Sequence, residues 1–131
     1  MPKLVNEGEN EVLNHLLPAT LNLYIGLYQN VTEPAETDTL TELTEVDPAD
    51  FSEGHRQILP GASWTIVADV ATHIQQVFTG ATTVGNVYGY FLTDISTGTA
   101  GKLWGVENFS DGPYNILADS IIKITPKLTA S

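Results

Sequence analysis

The sequence predicts a mainly β fold, an antiparallel β-sandwich or jelly-roll-like barrel, with a short N-terminal amphipathic helix and an acidic loop or arm. Three observations lead there. Apolar and polar residues alternate strictly over Leu21–Tyr28, the period of a half-buried strand. From His55 onward, short β-type runs follow one another between turn clusters. No helical stretch of about 10–15 residues separates them, so the βαβ spacing of Rossmann and flavodoxin folds is excluded.

With 131 residues the chain fits one domain with a core of its own. It reads as a single domain over 1–131: a helix or arm at 1–20, then a β body at 21–131 containing an acidic extended loop at 29–54. The N-terminal helix spans Asn6–Leu17. Val12, Leu13, Leu16 and Leu17 form its apolar stripe, Asn6 and Glu9 resemble a capping box, and Pro18 ends it. About three turns long, it is marginal alone, so its stripe must dock on the body or on a neighbouring subunit.

The strand at Leu21–Tyr28 has one aliphatic face and one that carries Tyr24 and Tyr28. Gln29–Glu53 is longer than the ~12–15 residues typical of a structureless connection. A second capping-box pattern, Thr39 with Glu42, suggests a short helix there, with Leu40 and Leu43 as its apolar edge. The rest reads as a surface arm, mobile or extended in the free protein and ordered by a neighbour, because Val31–Glu53 holds eight acids and no apolar alternation.

Further strands are expected at Arg56–Leu59, Ser63–Val67, Val70–Phe78, Asn86–Thr93, Lys102–Asn108 and Ile121–Leu128. Pro60-Gly61, Ala68-Asp69, Gly80, Gly98, Gly101 and Asp111-Gly112-Pro113 punctuate them. Within Val87–Leu92, large side chains fall on both faces. That strand is either buried on both sides or shared with a partner subunit, which makes Tyr88, Tyr90 and Leu92 candidate interface residues. Pro126 cannot donate to a ladder, so the last strand ends at an edge.

Charge narrows the function. The formal net charge is −11, and −10 of it lies in residues 1–53, where eleven acids face only Lys3. Such a chain repels nucleic-acid phosphates and anionic lipid, so neither is an expected partner. Hydrophobic residues make up 42% and charged residues 16%. That mix is too apolar for general disorder and too interrupted for a membrane span. Without cysteine, disulfides, thiolate zinc sites and cysteine nucleophiles are ruled out. The first residues lack the apolar run of a secretory signal, so the product is expected to stay in the cytoplasm where it is made, or to be built into something there.

Catalytic patterns are sought and not found. His15, His55 and His73 lack partners at metal-ligand spacing, and the bland reading of each is a surface or interface histidine. Ser63 lacks the glycine that a nucleophile elbow needs two positions on. Gly80, Gly85 and Gly89 fit no phosphate loop. Acidic pairs such as Asp47 with Asp50 miss EF-hand spacing and read as solvated surface. No catalytic residue, metal or cofactor is therefore assigned. Trp64, Trp104, Tyr24, Tyr28, Tyr88, Tyr90 and Tyr114 could line a sugar groove, but such residues on half-buried strands are more often core or interface.

Read along its length, the chain resembles a family of small structural proteins of tailed bacteriophages. The matching residues are Leu4–Glu9, Leu23–Tyr28, Gly54–Gln57 before Trp64, Gln76–Phe78, Val87–Phe91, Gly101–Trp104, Phe109–Pro113 and Ile124–Leu128. Family members read Gly-Tyr-Ala-Arg-Gln where this chain has Glu53-Gly54-His55-Arg56-Gln57. The resemblance implies a virion component without enzymatic activity and does not fix its place on the particle; the net charge of −11 favours the outer surface over the DNA-facing interior. First among the readings is a capsid decoration or cement protein bound to the major capsid protein; the large residues on both faces of Val87–Leu92 are the ground for expecting a homotrimer. A tail, neck or fibre-associated component and a carbohydrate-binding host-recognition module are the alternatives.

Overall fold

Leu23, Ile25 and Leu27 of β1 (Leu23–Tyr28) are buried on one face, as a period of two demands when that face meets a core. The computed structural model describes residues 22–35, 37–67 and 70–129. Among them are eleven strands, paired antiparallel throughout, and three one-turn 3-10 helices. The expected mainly β, antiparallel class is what the chain adopts. The N-terminal helix lies outside the described residues.

A four-stranded sheet has the order β2 (Gln57–Leu59), β1, β7 (Gly89–Thr93), β8 (Leu103–Asn108). The other pairings belong to one bent ribbon. β4 (Val70–His73) pairs with β11 (Lys127–Thr129), β5 (Gln76–Thr79) with β10 (Ile121–Ile124), and β6 (Gly85–Val87) with β9 (Tyr114–Ile116). β7 with β8 completes it, so residues 70–93 and 103–129 run antiparallel along most of their length. β3 (Trp64–Val67) adds to β4. Leu23, Ile25, Leu27 and Leu92 of the first sheet share one cluster with Phe78, Ile122, Ile124 and Leu128 of the ribbon, so a common core lies between them.

The expected strands Val70–Phe78, Asn86–Thr93 and Ile121–Leu128 are each split in two, at 74–75, at 88 and at 125–126. Pro126 has no N–H to offer, and three residues (73–75) stand opposite two (125–126), the imbalance of a bulge. The carbonyl of Pro126 still accepts the His73 N–H at 3.0 Å. At the next corner the N–H of Gly80 donates to Ser120 O and the N–H of Asp119 to Gly80 O, both at 2.8 Å. A Cβ on Gly80 would stand 2.4 Å from Leu117 O, so only glycine fits. β9 was not expected from the sequence, because it follows directly on the Asp111-Gly112-Pro113 turn.

The long segment after β1 corrects an expectation. Instead of a free arm, it lies against the molecule: Leu40, Val46 and Phe51 are buried. Gln29 N–H donates to Thr44 O at 2.8 Å and Val46 N–H to Leu27 O at 2.9 Å, so it continues the edge of β1 beyond β2. Leu40 joins Tyr28, Phe91 and Val106 in a second cluster on the far face of the central sheet. The expected helix shrinks to a single turn, Leu40–Glu42, in which the Glu42 carboxylate accepts from Thr39 N–H at 2.7 Å and Thr39 Oγ1 at 2.6 Å.

β7 is thus buried on both faces within one chain. Tyr90 is 3% and Leu92 0% exposed, and both face the main core; Phe91 faces the second cluster. Tyr90 and Leu92 are therefore withdrawn as interface candidates: the chain covers both sides of its own central strand. Tyr88 is half-buried against the second cluster.

Close approach is strictest at Gly89, where a Cβ would lie 2.3 Å from both Glu107 O and the Tyr28 hydroxyl. We expect Gly89→Ala to cost at least ~1–3 kcal/mol, as overpacking does. Denaturant unfolding measures it, and an unchanged midpoint would contradict the contact.

Candidate functional site

The sequence-predicted site residues do not assemble into one site. Val12, Leu13, Leu16 and Leu17 lie outside the described residues, and Tyr90 and Leu92 are core. His55 is exposed on a loop. His73 is neither a surface nor an interface residue of the free chain: it is 3% exposed and packs edge-on to Trp64 at 5.0 Å between ring centroids. Its ring nitrogens face Ile74 O at 3.0 Å and Pro60 O at 3.3 Å, tying the turn before β3 to the β4–β5 corner. Among the described residues no three His, Asp or Glu side chains group closely enough to hold a metal ion.

The aromatic residues weighed as a sugar platform are distributed through the interior. Tyr28, Trp64 and Tyr90 are buried, while Tyr24, Tyr88, Trp104 and Tyr114 are half-buried. Phe109 stacks between Tyr114, at 4.8 Å, and Tyr90, at 6.4 Å, so part of this set forms a packed row.

What the structure does bring together is a charged clamp that the sequence reading missed. Arg56 is 5% exposed, yet its guanidinium is almost fully satisfied. Nε donates to Glu45 Oε2 at 2.8 Å and Nη2 to Glu45 Oε1 at 2.7 Å, the two-point geometry that suits a planar fork. Nη1 donates to Ile95 O at 2.9 Å and Nη2 also to Gly98 O at 2.8 Å. The cation lies 5.2 Å from the centroid of the Phe91 ring. Glu45 belongs to the segment that crosses β1, and Ile95 and Gly98 to the turn at the ribbon's tip, so one side chain joins three separate stretches. The only sequence signal was Arg56 itself, the sole arginine in the chain, and nothing in its spacing marks Glu45 as its partner.

Beside the clamp is a recess of about 240 Å³, lined by Glu45, Asp47, His55, Arg56, Ser96 and Thr97 among others. Its buried charges, Arg56 and Glu45, already satisfy one another. Asp47 is also engaged, accepting from Ala49 N–H at 3.0 Å to cap the turn Pro48–Asp50. The arrangement holds loops in place, with His55 exposed at the rim of the recess.

Two phenols show how dry the interior is. Burial pushes the Tyr28 hydroxyl well above the ordinary tyrosine value, with Glu33 and Glu107 adding to it. Burial does the same to Tyr90, opposed in part by the Lys127 N–H that its oxygen accepts at 3.1 Å. The Tyr28 hydroxyl donates to Asn108 Oδ1, and that of Tyr90 to Glu107 Oε2 at 3.3 Å.

Raised values favour the neutral phenol in the fold. Each tyrosine therefore contributes stability that is fully present below about pH 10 and is lost as pH rises beyond it toward the folded-state value. In an alkaline titration followed by phenolate absorbance, Tyr28 and Tyr90 should ionise only together with unfolding, and Tyr28→Phe and Tyr90→Phe should each remove part of that late step. Arg56→Ala should cost about 3 kcal/mol, the low end of the ~3–5 kcal/mol for breaking a buried pair, because 24% of the Glu45 side chain reaches water. Arg56→Lys should recover only part of it, since an ammonium cannot make the fork. Thermal unfolding of both variants checks this, and equal stability of Arg56→Ala and wild type would refute the clamp.

No helix among the described residues is long and apolar enough to cross a membrane. No protein family, curated protein or solved structure matches this chain.

Proposed function

We propose that this protein is a virion structural component of a tailed bacteriophage, a decoration or cement protein that binds the outer surface of the major capsid protein shell and stabilises it without chemistry. The observation that carries this reading is the ordered series of family-like segments along the sequence. Those segments fall on the framework of the fold: Leu23–Tyr28 is β1, Gln76–Phe78 lies in β5, Val87–Phe91 spans the β6–β7 join, and Arg56 of Gly54–Gln57 is the clamp.

Charge supports the placement outside the shell. At −11 the protein is unsuited to the DNA-filled interior, where phosphates would repel it. Stabilisation by a small protein needs no large single contact, because several modest contacts made by one oligomer across a symmetry axis reinforce one another through effective concentration. A homotrimer would serve, on surfaces other than Tyr90 and Leu92.

Particles lacking this protein should assemble, yet lose DNA at lower temperature or under milder osmotic shock than complete ones, and added protein should restore them. An averaged image of the intact particle should place it on the head. Equally robust depleted heads, with the protein found on the tail, would replace this reading with that of a tail component.

A further inference from the structure

The far face of the four-stranded sheet, turned away from the main core, is closed unevenly. Over its middle, Leu40 of the crossing segment packs with Tyr28, Phe91 and Val106, and Glu45 and Arg56 lie against the Gly26–Phe91 pair. Toward the start of β1 the last row of this face runs across all four strands as Ile58, Tyr24, Thr93 and Leu103. Thr93 is buried, its hydroxyl donating to Lys102 O at 2.7 Å; Tyr24 and Leu103 are half-buried, and Ile58 is 46% exposed. An antiparallel sheet that turns one face to water places polar residues outward, yet no member of this row is charged and two are aliphatic.

The chain enters β1 through Asn22, at this same end of the sheet. The 21 residues before it carry Val12, Leu13, Leu16 and Leu17, the stripe that the sequence places on one side of a helix ended by Pro18. Five residues separate Leu17 from Leu23, a reach of at most about 20 Å. The row itself is about 14 Å wide, three strand spacings. The stripe can therefore lie along the row while its chain stays anchored at Asn22. Tethering also favours this segment over a second copy, which would bring a net charge of −11 against the same charge.

We infer that residues 12–17 close the far face of their own chain's sheet, with the apolar stripe packed on the row Ile58, Tyr24, Thr93 and Leu103. The inference does not rest on the shell reading and is tested without a particle.

The chain has no cysteine, so paired cysteine substitutions report one contact at a time. In the full chain, Ile58→Cys is combined in turn with Val12→Cys, Leu13→Cys, Leu16→Cys and Leu17→Cys under mild oxidation. At least one pair should form a disulfide within a single molecule, which requires Cα atoms about 4.4–6.8 Å apart. The same four combined with Ile121→Cys, exposed on the ribbon, should not. A Glu-specific protease gives a second readout through Glu7, Glu9 and Glu11. Ile58→Asp and Leu13→Asp should each speed cleavage there by about tenfold or more, while the body keeps its unfolding midpoint. Bridges that form only between molecules would overturn the inference by assigning the row to another copy. So would the absence of any bridge to Ile58→Cys, equal bridging to Ile121→Cys, or cleavage indifferent to Leu13→Asp.

Discussion

The Arg56–Glu45 pair is the constraint on which the rest of the structure depends. An arginine 5% exposed is costly to desolvate unless every direction around it is filled, and here a carboxylate, two carbonyls and an aromatic ring fill them. Those partners come from positions eleven to forty-two residues away, so the pair can form only when the crossing segment, the β2 entry and the ribbon tip are all in place. Gly26 makes room for it. A Cβ there would stand 2.5 Å from the Phe91 ring and 3.1 Å from Glu45 Oε2. The strand-interior glycine, unfavourable by propensity, is thus the floor on which ring and carboxylate stack.

Because the clamp fixes the crossing segment, the central sheet is closed on its second face by its own chain. Leu40 and Phe91 meet there with Tyr28 and Val106, Glu45 turns in to the clamp, and Glu33, Glu42 and Asp47 of the same segment face outside. Acidity and burial are two sides of one strip: Leu40, Val46 and Phe51 turn inward, while Thr41, Glu42 and Asp47 remain exposed. The Glu42 carboxylate is held below the ordinary carboxylate range by the Thr39 hydroxyl and N–H, so its turn is supported at neutral pH and loosens as acid protonates it.

Local rules made the strands legible and left the clamp invisible. Alternation over Leu21–Tyr28 placed β1, and turn clusters placed most of the ribbon, because both signals are confined to neighbours in sequence. The breaks inside the expected long strands were half legible. Pro126 announced its lost donor, but nothing local told that 73–75 would bulge against it. The crossing segment was misread as an arm because Leu40, Val46 and Phe51, spaced six and five apart, follow neither a strand nor a helix period. A stretch held by side chains at irregular intervals looks unstructured until its partners are known. For the same reason large residues on both faces of Val87–Leu92 were compatible with a subunit interface as well as with a core.

Once the interior is accounted for by packing and by the clamp, what distinguishes this molecule is how its surface is divided. Natural edge strands are commonly guarded by lysine or proline against pairing with strangers. Pro126 and Lys127 suit that role at β11, where the Lys127 N–H is in any case taken by Tyr90. Residues 114–124 are guarded less: Lys123 and the exposed Asp119 stand there beside a largely exposed isoleucine, on an edge with no backbone partner among the described residues. With a net charge of −11 on every copy, like-charge repulsion between molecules guards this edge where side chains guard it little.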